Sequence, residues 1–297
     1  MTLRPALLRP SGAHLLRRHR TLLIAGCAGV ALATAVAPAG AATTVGHYAA
    51  LGDSFSSGLG IPAQTDTTCG RSDHNYPTLL AAGIGATSST DVTCAGATTQ
   101  HVTGAQGDIA AQLDAVRADT AVVTLGIGGN DLDLAGTITR CVLLAYLSPS
   151  GAPCKTSYSL GGTDEIGSRI NATAPKVAAD LKAIRAKAPQ ARIFLVGYPA
   201  LVPDDGSACR STVPLATGDF PWLRDKTRQL NSVLAQQAAA NGATFVDVYT
   251  PSIGHDACKP AGVRWIEPTD TAAAAGFHPN AAAHQNTAAE ITALLGR

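Results

Sequence analysis

The chain has 297 residues, a formal net charge of +1, 46% hydrophobic and only 14% charged residues, and a mean hydropathy of +0.14. This balance excludes a basic nucleic-acid-binding face and an acidic disordered chain, and it suits an exported globular protein with some apolar surface. Near the N-terminus, Arg17, Arg18 and Arg20 form a basic start that is followed by the apolar run Leu22 to Val36 and by small residues at Ala39-Gly40-Ala41. A basic start, an apolar centre and a small-residue end predict a secretory signal peptide over residues 1–41, cleaved near Ala41, and hence secretion. A membrane anchor fits less well, because Gly26, Gly29 and Thr34 interrupt a short apolar run and no basic stop-transfer segment follows it. Residues 42–297 are long enough for one α/β core, and no internal boundary is visible.

Cysteine usage agrees with export. Of seven cysteines, Cys27 lies in the segment expected to be removed, leaving Cys69, Cys94, Cys141, Cys154, Cys209 and Cys258. An even number in an exported chain reads as a disulfide framework, for which six cysteines allow 15 pairings. The sequential pairing Cys69–Cys94, Cys141–Cys154 and Cys209–Cys258 is preferred for its simplicity, since it closes three separate loops. A zinc site is disfavoured: there is no Cys-x-x-Cys, and the cluster His255-Asp256-Ala257-Cys258 has no second half at ligand spacing. Neither a metal nor a cofactor is expected.

Strand-like runs at Val45–Leu51, Asp91–Cys94, Ala121–Gly126, Arg192–Gly197 and Thr244–Val248 alternate with helix-like segments. The helical segments are Tyr76–Ala82, Asp108–Ala118, Val177–Lys187, Trp222–Ala240 and Ala281–Leu295. This alternation predicts a three-layer α/β/α sandwich around a flavodoxin-like, five-stranded parallel sheet. The stretches Leu132–Thr173 and Tyr198–Asp219 hold cysteines, Gly and Pro and read as disulfide-stapled loops over the strand ends, where specificity commonly resides.

Four short motifs carry the chemistry, and each has an ordinary reading beside the functional one. Gly52-Asp53-Ser54 with Gly58 follows the first strand, where a serine would project into the crevice at the strand ends. Asp53 or Ser54 could equally just cap the next helix. Gly96 follows the second strand candidate and would let the backbone N–H approach a bound ligand, or simply make a turn. In Gly128-Gly129-Asn130-Asp131, just past the third strand, the Asn130 amide can donate to a substrate oxygen, or Asn130 can be a turn residue. A nucleotide-phosphate loop is disfavoured there, because the Lys-Ser/Thr ending is missing. His278, in Phe277-His278-Pro279-Asn280 before the last helix, can serve as general base and then acid, or merely pack at the helix start. His47, His74, His101, His255 and His284 have no comparable context.

Together and in this order, these blocks resemble those of the SGNH or GDSL hydrolases, over the stretch from Val45 to the end, and most closely the exported actinobacterial lipases and esterases of that family. The resemblance implies six sequentially paired cysteines, Ser54 as nucleophile and His278 as base. It also implies an oxyanion hole made of the Ser54 and Gly96 backbone N–H groups and the Asn130 side chain. The family pattern usually has an Asp three residues before the His, and here that position is Ala275. The resemblance therefore points to a Ser-His dyad whose imidazole is oriented by the Ala275 backbone carbonyl, with Asp270 as the alternative. The function implied is a secreted serine ester hydrolase, a lipase or esterase cleaving acyl esters of lipids through an acyl-enzyme. The alternatives are a carbohydrate acetylesterase and a non-catalytic exported lipid-binding protein. The apolar residues Val142, Leu143, Leu144, Tyr146 and Leu147 favour an acyl chain, although they could equally be core. An acyl ester or lipid substrate, transient contact with a lipid surface, a monomer and no nucleic-acid partner are expected.

Overall fold

Alternate residues of one central strand feed two different cores. In the computed structural model, which describes residues 44–297, β1 (Val45–Gly52) directs Ala49 and Leu51 to one side of the sheet and Tyr48 and Ala50 to the other. Opposite orientation of successive side chains is what a strand imposes, and a strand covered on both faces must be apolar on both. β1 opens into α1 (Ser54–Ser57), a small hairpin of β2 (Gln64–Asp66) and β3 (Arg71–Ser72), and α2 (Tyr76–Gly83). Then come β4 (Ala86–Asp91), α3 (Gln100–Thr103), β5 (Thr120–Gly126), α4 (Leu134–Leu147), α5 (Pro153–Ser157) and α6 (Glu165–Lys187). The chain finishes with β6 (Arg192–Val196), α7 (Asp219–Ala240), β7 (Thr244–Val246), α8 (Tyr249–Ser252) and α9 (Ala281–Leu294). The described residues, 44–297, form one compact unit.

The five strands of the main sheet run in the order β4-β1-β5-β6-β7, and every pair is parallel. The three-layer sandwich predicted from the sequence is therefore the observed fold. On one face α6 and α7 pack with Ile170, Leu181, Leu230 and Leu234 against Leu51, Val123 and Leu125. On the other, α2 and α9 bury Leu80 and Ile291 beside Tyr48, Val122 and Phe194. The chain leaves β1 for β4 on one side and returns to β5 on the other, so the β1/β5 boundary is the topological switch point, where a crevice opens beyond the carboxyl ends of the strands.

Three elements differ from the sequence reading. The second strand is Ala86–Asp91 rather than Asp91–Cys94. It is an edge strand with β1 as its single neighbour, so Thr87, Ser88 and Ser89 face solvent and leave no apolar signature. The predicted segment does continue the ladder, through Val92 N–H to Ala50 O at 3.0 Å and Cys94 N–H to Gly52 O at 3.0 Å. The predicted helix Asp108–Ala118 is only a 3₁₀ turn, Gln112–Ala115, because Gln106 and Ile109 pair as a bridge before it. The stretch Leu132–Thr173 is mostly helical: it contains α4, α5 and the start of α6, which runs on through Pro175 while burying Ile166, Ile170, Val177, Leu181 and Ile184 on one face. The signal-peptide prediction and Cys27 lie outside the described residues. The remaining six cysteines are bonded as Cys69–Cys94, Cys141–Cys154 and Cys209–Cys258.

Candidate active site

Gly52 and Gly126 are register partners at the last rung of β1 and β5, and the Asp53 N–H closes on Gly126 O at 2.9 Å. A Cβ on either glycine would run into the Ser56 hydroxyl, so only glycine lets the chain turn there. Asp53 caps α1 by accepting the Phe55 N–H at 2.9 Å, which leaves Ser54 as the first helical residue, 7% exposed at the crevice floor. The N–H groups at a helix start lack intrahelical acceptors and are available to an anion.

His278 faces Ser54, with Nε2 2.9 Å from the serine Oγ and Nδ1 2.7 Å from the Gly276 carbonyl oxygen. A carbonyl only accepts, so Nδ1 carries the proton and Nε2 presents its lone pair to the Ser54 hydroxyl. The orienting carbonyl is thus Gly276 and not Ala275, as the sequence reading had it. Ala275 O is used in the turn itself, accepting the His278 N–H at 3.2 Å, while Phe277 takes a left-handed φ of 56° that folds the ring back over Gly276. Asp270 is exposed and does not reach the imidazole; it accepts the Gly276 N–H at 2.7 Å, on the far side of the orienting residue. Burial lowers the His278 pKa, against the opposing pull of the Gly276 carbonyl and the Asp270 charge, so the ring is neutral at neutral pH.

The loop carrying His278 is clamped by Glu267, which the sequence reading missed. The Glu267 backbone exchanges bonds with Phe277 and His278, at 2.6 Å and 3.1 Å. Its carboxylate accepts from Arg264 Nε, Asn280 Nδ2 and the Thr271 hydroxyl at 2.8, 2.9 and 3.1 Å. Burial pushes the Glu267 pKa up, but these donors outweigh it and the net shift is downward, which keeps the carboxylate ionised.

On the opposite side of the crevice, Gly96 adopts φ +77° between two anchored neighbours. The Ala95 N–H donates to Cys69 O at 2.9 Å, the Ala97 N–H donates to Cys94 O at 3.1 Å, and Cys69–Cys94 joins the two supports covalently. The Gly96 N–H has no protein acceptor among the described residues. Asn130 donates from Nδ2 to Ala97 O at 2.9 Å, which fixes its amide beside Gly96 and leaves a second amide hydrogen free to act. Asp131 secures the same junction by accepting from the Thr99 N–H and hydroxyl at 2.9 and 2.6 Å.

Two further residues tie these segments together and were not singled out in the sequence. The Tyr198 hydroxyl accepts the Gly129 N–H at 2.7 Å and donates to Asp53 Oδ2 at 2.6 Å, linking the glycine-rich turn to the serine turn. Burial pushes the Asp53 pKa up to about 7, against the bonds from Tyr198 and Phe55. Gln112 is buried and grips the Gly52 peptide from both sides, at 2.8 Å to the N–H and 2.9 Å to the carbonyl. A polar residue in an otherwise apolar segment was the available signal for Gln112. The other histidines have structural surroundings. His47 bonds to the Thr120 and Thr90 hydroxyls, and His255 stacks on Trp265. His284 accepts the Tyr76 N–H, with its pKa lowered by burial to about 3.

The arrangement as a whole can deprotonate a hydroxyl and hold a developing oxyanion, which is the chemistry of acyl transfer. The model of the GDSL-like Lipase/Acylhydrolase family matches residues 50–285, a span that includes every residue of this constellation. The chain belongs to this family. Lipase 2 of Streptomyces coelicolor is 40% identical over 293 residues, covering 95% of this chain and 98% of that protein. Among solved structures, phospholipase A1 from Streptomyces albidoflavus NA297 superposes with a TM-score of 0.70 and 29% identity over 85% of this chain and all of its own. The extracellular lipase from Streptomyces rimosus gives 0.62 and 28% over 85% of this chain and 100% of that one. This GDSL protein is a serine ester hydrolase of the lipase/esterase type.

Proposed function

We propose that this GDSL enzyme is secreted and cleaves acyl esters of lipids as a monomer, with Ser54 as nucleophile and His278 as general base and acid. The observation that carries this reading is the 2.9 Å contact between Ser54 Oγ and His278 Nε2, with Nδ1 held by a main-chain carbonyl. Ser54 Oγ attacks the ester carbonyl carbon as His278 takes its proton. The negative charge moves to the carbonyl oxygen, which accepts from the Ser54 and Gly96 N–H groups and the Asn130 amide. Collapse breaks the bond to the alcohol, which leaves with the proton from His278. Water then repeats the cycle on the acyl-enzyme and frees the acid. Because Gly276 offers a neutral acceptor, the imidazolium formed in each half-reaction is stabilised less than a carboxylate would stabilise it.

Lipid as the substrate class is supported by the names of the relatives and by the surface of α4. Leu143, Tyr146 and Leu147 are 63%, 71% and 82% exposed, at the i, i+3, i+4 spacing that puts them on one helical face. That helix starts three residues after Asp131, carries Arg140 and contains no carboxylate. An apolar strip flanked by a cation suits transient contact with a lipid–water interface. Secretion is supported by the N-terminal pattern and by three disulfides, which persist in oxidising compartments.

The deciding experiment is hydrolysis of a chromogenic ester series from acetate to long-chain acyl by the mature protein and Ser54→Ala. Activity that vanishes with Ser54 and peaks at longer chains is expected. Turnover confined to acetylated xylan would identify a carbohydrate acetylesterase instead. Activity retained in Ser54→Ala would remove the proposed nucleophile.

A further inference from the structure

The buried face of α6 carries Ile166, Ile170, Thr173, Val177, Leu181 and Ile184, and Asp180 is the one ionisable residue buried among them. Asp180 is 4% exposed, makes no hydrogen bond to the protein among the described residues, and has its Oδ2 fully buried without a partner. A carboxyl group left like this on a core-facing position costs folding free energy, so its retention asks for a use. It lines a cleft of about 500 Å³ between α3 and α6, whose wall also includes Thr98, Thr103, Lys176 and Asn130. Asn130, also a proposed oxyanion donor, is the residue this cleft shares with the candidate site.

The chemistry of the lining selects the occupant. Lys176 Nζ lies 3.3 Å from Asp131 Oδ1, so the one cation among these lining residues is already neutralised. Burial, with the Asp131 charge as a smaller contribution, pushes the Asp180 pKa up to about 8, so at neutral pH the group is mainly a neutral acid that both donates and accepts. Threonine hydroxyls and an uncharged carboxyl around a charge-balanced floor suit neither an acyl chain nor a phosphate. They suit a neutral group bearing hydroxyls. By contrast, Leu132, two residues beyond Asn130, lines an apolar crevice with Leu134, Ile166, Trp222 and Leu230. The turn at 130–132 therefore separates a polar space from an apolar one.

We propose that the cleft between α3 and α6 is the subsite for a polyhydroxylated alcohol portion of the ester, with Asp180 hydrogen-bonding one of its hydroxyls. This rests on the ester-hydrolase mechanism above and adds the selectivity for the alcohol. Asp180 is a specificity residue in this scheme and takes no part in the bond-making steps.

The test compares kcat/KM for three soluble esters with the same acyl group: ethyl butyrate, glycerol 1-butyrate and a butyrate ester of methyl xyloside. Wild type, Asp180→Leu and Asp180→Asn are measured, with Ser54→Ala as the control for the mechanism. Losing a hydroxyl partner should lower kcat/KM on one or both polyol esters about tenfold in Asp180→Leu, with ethyl butyrate changed less than about twofold. Asp180→Asn keeps a donor and an acceptor and should fall between, and it carries the test if the leucine variant does not fold. Loss on the glycerol ester alone would identify a glycerolipid alcohol, and loss on the xyloside ester alone a sugar. Equal changes on all three esters, including none, would overturn the subsite. Activity surviving in Ser54→Ala would instead overturn the mechanism.

Discussion

Ser54 and Asn130 stand just beyond the carboxyl ends of adjacent central strands, whereas His278 hangs from a stretch, 265–280, whose only regular pairing is the bridge between Ile266 and Pro279. On the strand side, position is set by ladder bonds, the close Gly52–Gly126 crossing, and cross-links from Gln112, Tyr198 and the Cys69–Cys94 disulfide. On the loop side it is set by the buried Glu267 carboxylate, by the exposed Asp270, by one backbone bond to Leu59 O, from the Ala275 N–H at 3.1 Å, and by bonds within the loop's own backbone. Oxyanion donors gain most from being fixed before the reaction, since any reorganisation counts against the transition state. A base must change partners between two half-reactions, and a loop held by hydrogen bonds tolerates that adjustment. The redundant supports of the strand side should therefore absorb the loss of one tie better than the loop side does.

The largest effects delete the chemistry on each side. Ser54→Ala should lower kcat by about 10⁴-fold or more, since loss of the proposed nucleophile removes the acyl-enzyme route altogether. Asn130→Ala should lower kcat by about 10²–10³-fold, equivalent to about 2.7–4 kcal/mol, with little change in the thermal unfolding midpoint. Near-full turnover in Asn130→Ala would mean that the strand side supplies its oxyanion donors without this amide.

The next pair tests the comparison directly. Glu267→Gln places an amide donor among Arg264, Asn280 and Thr271, all of which already donate. It should cost about 2–3 kcal/mol of stability and lower kcat about tenfold through a loosened His278. Tyr198→Phe removes the acceptor of the Gly129 N–H and the donor to Asp53, at a cost of about 1–3 kcal/mol. The other ties of that side remain, so kcat should fall only about threefold, less than in Glu267→Gln. Denaturant unfolding and single-turnover rates for both variants decide the matter. A larger loss of kcat in Tyr198→Phe would reverse the ranking of the two halves.

This contrast also explains what could be read from the sequence. The candidates Ser54, Gly96, Asn130 and His278 stand out in the sequence because each is a chemically distinctive residue in a short motif beside a predicted element. Tyr198 and Gln112 act through contacts 69 to 145 and 60 residues away, and no local pattern encodes such a partner, while Glu267 joins its near neighbours Arg264 and Thr271 to Asn280, 13 residues on, only once the loop has folded. The orienting carbonyl was misplaced by one residue because the left-handed Phe277 reverses the chain in a way that spacing does not reveal. Among the elements, the core strands were legible from apolar runs. The polar edge strand β4 was displaced because an edge needs no apolar face, and the first half of α6 was missed because Pro175 reads as a breaker. Pro175 only removes one N–H from a helix whose buried face supplies the stabilisation.

The smallest expected effect concerns the pH dependence of the base. As the proposed base, His278 has to be neutral to accept the Ser54 proton, and burial disfavours its charged form, so the acid limb of kcat/KM should lie below the ordinary histidine value of 6.5. Activity is then full above that limb and is lost as pH falls through it. The same shift acts on stability. Below pH 6.5 the unfolded chain takes up a proton that the folded ring resists, so this histidine's contribution erodes with acidification and is unaffected at higher pH. Asp270 opposes the effect of burial by favouring the imidazolium through space, while bonding directly only to the Gly276 N–H. Asp270→Asn keeps an acceptor for that N–H and removes only the charge. Its acid limb should therefore move further toward low pH with kcat at neutral pH unchanged, and the difference from wild type should shrink at high salt because the carboxylate is exposed. A limb that moves upward, or a loss of kcat at neutral pH, would mean that Asp270 holds the geometry of the base rather than its charge balance, and would place the weakest support of the loop side at the Gly276 peptide.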